Sequence, residues 1–193
     1  MRQILVSRKL NFENIKPTWA SFKQLYVLFW ITSFTGHYLE VIWARTLHVF
    51  FGYSVWHPSA PTIMPLAPPY GLGAVAVILL IWPLIKRYKL NPVGSFVLSV
   101  FVTGLVEYLC AFCLVVVSGH NEYWDYTGRF LNINGYVCLQ SSLIFGLVSI
   151  CFLYFVYPYY EKFIKRFDEK HFNAIFWVLF VSYAIDLIFI NIK

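Results

Sequence analysis

Apolar residues run along this chain in long blocks, and short polar or basic segments separate the blocks. Five blocks stand out: 22–51, 70–85, 93–117, 137–157 and 172–190. A helix needs about 20 mostly apolar residues to cross a bilayer, so each block predicts a spanning helix. The first is long enough to tilt or to stand outside the hydrocarbon. The second is short, and Pro65, Pro68 and Pro69 crowd its start. A first helical turn tolerates proline because its N–H groups have no intrahelical partner. A closed barrel is the other spanning solution, but its ten-residue alternation is missing. The expected fold is an all-α polytopic transmembrane bundle of about five spans, one integral membrane domain over 1–193.

Composition agrees with that pattern. The 193 residues are 60% hydrophobic and 12% charged, against about 25% charged in soluble domains. Arg2, Arg8, Lys9, Lys16 and Lys23 precede or open the first span. Lys86, Arg87 and Lys89 follow the second, and Lys162, Lys165, Arg166 and Lys170 follow the fourth. Arg129 and Lys193 fall on the other side. Positive charge marks cytoplasmic loops, so the N-terminus is expected in the cytoplasm and the C-terminus outside. The net charge of +6 then reflects topology, and no nucleic-acid partner is expected. The first twenty residues lack the apolar core of a cleavable signal, so span one is expected to act as the anchor. The implied location is the plasma membrane, with the lipid bilayer as the main partner. No internal repeat is visible along the chain, and no metal-ligand or cofactor motif either.

Polar chemistry collects toward the outer side. Glu40, Glu107 and Asp186 lie inside apolar blocks. An ionisable group in hydrocarbon costs several kcal/mol, so it normally faces a partner or a wet cavity. Glu40 is about 25 Å along a helix from Lys23, and Glu107 about 24 Å from Asn91, at 1.5 Å per residue. Both therefore belong to the outer half. Gly36, His37 and Glu40 share one helix face, and so do Thr103, Glu107 and Cys110. Above them lies NEYWDYTGRFLNINGY, residues 121–136, a polar and aromatic loop between two apolar blocks. We expect an outward pocket with Asp125 in its roof and the glutamates below.

GHYLE (36–40), PLAPPYGLGA (65–74), TGLVEY (103–108), WDYT (124–127) and NINGYVCLQSSLIFGL (132–147) occur in that order. Together they resemble the bacterial family of ABC-transporter permeases of the CmpB type, over about Tyr26 to Pro158. The resemblance implies a small multi-pass membrane protein. It places signature acids on Glu40, Glu107 and Asp125, and glycines on Gly36, Gly71, Gly73 and Gly135. Aromatic and amide positions fall on Tyr70, Trp124, Tyr126 and Asn132. His37 stands where the family has Trp, Met64 where it has Gly, and Tyr136 where it has Arg. The absent Arg leaves Arg45 or Arg129 as substitute cations for the acids.

Three readings remain open. Outer acids under an aromatic lid suit a permease or permease subunit that takes a cation, an amine or protons, with substrate contacts from Gly36, His37, Glu40, Tyr70, Glu107, Trp124, Asp125, Tyr126 and Asn132. Glu40, Glu107 and Asp125 are also the candidates for acid–base work on a lipid or lipid-linked substrate. In a non-catalytic membrane subunit or sensor, the acids would only tie helices. Transport is the reading we place first. The chain has no phosphate-cradling Gly-rich loop, so ATP coupling would need a separate ATPase. A transport path would need that or another membrane subunit, or a homo-oligomer. The topology predicts that, in a background free of native cysteine, Cys at Ser59 or Asn121 reacts with an impermeant thiol reagent in intact cells. Cys at Lys89 or Lys165 should not. Reversed labelling would turn the pocket to the cytoplasm.

Overall fold

The computed structural model describes residues 19–51, 64–121 and 124–192. Arg2, Arg8, Lys9, Lys16, Ser59 and Lys193, used above, lie outside them. Five helices are long and apolar enough to cross a membrane. They are α1 (Trp19–Phe51), α2 (Pro68–Tyr88), α3 (Pro92–Ser118), α4 (Leu139–Ile164) and α5 (Glu169–Ile192). Among the described residues the only β pairing is an isolated bridge, Ile133 with Val137. The protein is an all-helical, multi-pass membrane protein.

Local chemistry sets the helix ends. Asn91 caps α3 by accepting from the Gly94 N–H at 2.8 Å, with Pro92 in the first turn. Gly119, at φ 79°, closes it. Cys138 and Ser141 form a reciprocal capping box at the start of α4, which satisfies donors that a helix start leaves open. Asp168 caps α5 through the His171 N–H at 2.9 Å.

Two helices contain prolines and run beyond the ends the pattern predicted, at 85 and at 157. Pro83 lies within α2 and Pro158 within α4. A proline in a helix loses one hydrogen bond and clashes with the carbonyl four residues back. Here a five-residue π-helical segment precedes each one, Val77–Ile81 and Phe152–Val156. The wider turn moves that carbonyl aside. Both segments feed one apolar core of Leu28, Val77, Ile78, Ile81, Ile85, Leu153 and Tyr157.

Small residues let the helices approach, as they do between membrane helices generally. The buried face of α3 is Ser95, Ser99, Thr103, Glu107 and Ala111, one residue in every four. Glu107 meets Ser141 of α4, and the neighbouring buried Gly104 meets Ser142, while Val97, Phe101 and Leu105 face outward. A Cβ on Gly71 would collide with Phe29 and Ser33 of α1, and one on Gly146 with Phe96 and Val100 of α3. The α5 helix lies along α1: Lys23 donates to Asn173 at 2.7 Å, and Phe176 packs on Phe22 and Tyr26. Buried Asp186 accepts from the Met64 N–H at 3.2 Å, and so positions the approach to α2. All four cysteines are free. Gly71→Leu and Gly146→Leu should each cost about 1–3 kcal/mol by overpacking. That cost is read as a melting temperature several degrees lower in detergent, with Gly73→Leu as the control because nothing lies near its Cβ position.

Candidate functional site

Glu107 is the centre of the polar structure. It sits on the buried face of α3, 6% exposed. The Tyr126 hydroxyl donates to its Oε1 at 2.9 Å, and the Ser141 hydroxyl lies 2.8 Å from its Oε2. Burial, followed by the Glu107 charge, pushes the Tyr126 phenol well above its ordinary range, so it remains a donor throughout the physiological range. Ser141 is held by its own turn. It receives the Cys138 N–H at 3.2 Å and lies 2.9 Å from the Cys138 carbonyl. A hydroxyl has one proton, and Ser141 has two oxygens competing for it.

Glu40 meets the same group from α1. The Tyr70 hydroxyl lies close to Glu40 and within the field of Glu107 and Tyr126. Tyr70 reaches this place because its ring lies against Gly36, where a Cβ would collide with it. Prolines at the start of α2 leave Tyr70 in the first turn. Two acids from two helices and three hydroxyls thus converge at one end of the bundle. Lys23, Lys86, Arg87 and Lys162 lie at the other end, where the Tyr160 hydroxyl ties α4 to the Gln24 carbonyl at 2.5 Å.

The loop over the site is wound by its own bonds. Trp124 Nε1 donates to the Tyr136 carbonyl at 2.8 Å, and the Tyr126 N–H to the Gly135 carbonyl at 2.9 Å. Asn132 accepts from the Gly135 N–H at 3.1 Å and donates to the Arg129 carbonyl at 2.9 Å. Asp125 is exposed and accepts from the Thr127 N–H at 2.8 Å. Bonds from the Thr127 side chain and backbone hold its carboxyl below the ordinary range. Gly135 has φ 72°, and a Cβ there would come within 2.9 Å of Asp125 Oδ1, so this turn requires glycine. Asn134 donates to the Tyr108 hydroxyl at 3.0 Å and fastens the loop to α3.

Of the residues expected in the site, Glu40, Tyr70, Glu107 and Tyr126 come together, with Gly36 beneath Tyr70. Trp124, Asp125 and Asn132 shape the loop that delivers Tyr126. His37 is half-buried, its ring edge-on to Tyr38 at 5.5 Å. Arg45 and Arg129 are exposed, and hydroxyls occupy both oxygens of Glu107. Ser141 went unrecognised in the sequence. Its signal was present, a hydroxyl three residues after Cys138 at the start of an apolar block, on the same outer side as Glu107.

Five spanning helices of these proportions define a multi-pass membrane protein. A family model described as "Putative ABC-transporter type IV" matches residues 27–190. The chain belongs to that family. The match takes in most of α5, which the motif resemblance ending at Pro158 left out. No curated protein and no solved structure matches the chain. Tyr126→Phe and Ser141→Ala should each remove a bond to a buried acid, a loss of about 1–3 kcal/mol. The melting temperature of both variants should fall clearly below that of Asp125→Asn, which keeps an acceptor for Thr127. Equal effects in all three would make Tyr126 one more loop staple.

Proposed function

We propose that the chain is a permease or permease subunit whose acid–hydroxyl cluster takes up a cation, an ammonium group or a proton from the outer side. The observation that carries this reading is the buried Glu107 and the half-buried Glu40 at the same end of the bundle, with the Tyr70 phenol close to Glu40 and within the field of Glu107. A buried acid that only ties helices needs one partner. Two acids with adjustable hydroxyls between them can accept a positive charge.

Ser141 shows how both charge states fit the same frame. When Glu107 is ionised, the Ser141 proton points to Oε2 at 2.8 Å. When Glu107 carries a proton, it can donate to Ser141, whose own proton then turns to the Cys138 carbonyl at 2.9 Å. A hydroxyl rotation makes the exchange, and no helix has to move. The Tyr126 phenol donates to the other oxygen in either state. The basic residues at the far end of the bundle set the orientation by the positive-inside rule, with the cluster outside. The family supports a separate ATPase as a partner. The exposed apolar faces leave room for further membrane helices.

A cation panel tests the proposal. Purified protein in lipid nanodiscs is melted with sodium, potassium, magnesium, methylammonium or a diamine, at pH 5.5 and 8. At least one should raise the melting temperature of the wild type at pH 8 and do so less at pH 5.5, where protons compete. The rise should vanish in Glu40→Gln and in Glu107→Gln. No response to any cation at either pH, or a response that survives in the double variant, would overturn the reading.

A further inference from the structure

The two halves of the bundle carry the same features at constant spacing. On α1 and α3 the correspondence is 67 positions. Leu28 and Ser95 are both buried, as are Gly36 and Thr103. The Thr32 hydroxyl bonds to the Leu28 carbonyl at 2.7 Å, and the Ser99 hydroxyl to the Ser95 carbonyl at 2.8 Å. Glu40 and Glu107 hold the same register. On α2 and α4 the correspondence is 75 positions. It pairs Gly71 with Gly146, Ala74 with Ser149, Ile78 with Leu153, the two π-helical segments, and Pro83 with Pro158. The registers also agree between helices. Gly71 lies on Phe29 and Ser33, and Gly146 on Phe96 and Val100, again 67 positions apart.

Two ring contacts show how the halves are related. Tyr70 meets Phe145 at 5.6 Å and 71°, and Trp82 meets Tyr157 at 5.7 Å and 72°. Each pair is 75 positions apart, so each residue touches its own counterpart. A residue meets its counterpart on a two-fold axis, as in isologous interfaces. Because α1 and α3 run the same way, that axis lies along the helices. Membrane transporters contain parallel repeats of this kind, with sites at the repeat interface.

We infer that α1–α2 and α3–α4 are two copies of one helical hairpin, and that each copy carries a carboxylate–phenol half-site facing the shared axis. One departure explains the loop. Glu40 takes its phenol from Tyr70, but the counterpart of Tyr70 is Phe145, which has no hydroxyl. The second hairpin is eight residues longer between its acid and its glycine, in the segment that holds the loop. From that loop Tyr126 brings the missing phenol to Glu107 at 2.9 Å. The loop thus replaces a side chain that the second hairpin lacks.

This deepens the cation-site reading, but its test reads stability and leaves cation response to the panel above. Tyr126→Phe lowers the melting temperature. Adding Phe145→Tyr puts a phenol where the axis would carry Tyr70 onto Glu107, and should recover at least half of the loss. No recovery, or a further drop, would overturn the half-site. The second measurement works in membranes without purification. In a cysteine-free background, the pairs 33/71 and 100/146, changed to Cys, should form disulfides to similar extents under mild oxidation, whereas 33/146 should not. Cross-linking of one equivalent pair alone would overturn the duplication. Failed rescue beside a positive cation response removes this inference and leaves the cation site.

Discussion

A carboxyl group between membrane helices must be met by donors from the protein, because hydrocarbon supplies none. Glu107 imposes that requirement here, and much of the structure answers it. A phenol has to come down from the loop, so the loop is wound around Tyr126 by Trp124, Asn132 and Gly135. A hydroxyl has to come from α4, so the capping box turns Ser141 inward. The helix carrying the acid has to approach its neighbour closely, so α3 presents serine, threonine and alanine at every fourth position. These residues form one arrangement around one buried group.

Much of this was legible in the chain, for physical reasons. Spans are set by composition over some 20 residues, so all five could be placed. Acids inside apolar blocks stand out, so Glu40 and Glu107 were visible, and helical spacing put Gly36 beside Glu40. The α4 end was placed just before Pro158, and the α2 end at 85, and both helices run further. A π-helical turn absorbs the missing hydrogen bond, and nothing local announces it. Asp125 read as a site acid because charge is conspicuous, yet its carboxylate is used by Thr127 two residues on. Tyr126, one residue later, reaches the acid instead, and only the winding of the loop decides between them. The duplication escaped a linear reading because its two registers differ by the eight residues of the longer segment. Few residues are identical between the halves. Burial and contact repeat, while letters mostly do not.

The arrangement gives a physical content to the family's transport description. Glu107 is buried, and Glu40 is half-buried. They sit at a convergence of two hairpins, in contact with groups that can turn a proton without moving backbone. Below them the proline-bearing, π-helical stretches of α2 and α4 meet at the apolar core. The hydroxyls of Tyr70 and Ser141 and the π-helical segments lie on the same pair of helices, α2 and α4.

The central claim is that Tyr70 joins the two acids into one site. A double-mutant cycle with Tyr70→Phe and Glu107→Gln, followed by melting in nanodiscs, addresses it directly. Residues that share a network couple by about 0.5–3 kcal/mol, whereas independent sites add. The account predicts that the double variant loses clearly less, or more, than the two single losses combined. Strict additivity would mean that Glu40 and Glu107 sit in separate surroundings, and would contradict it.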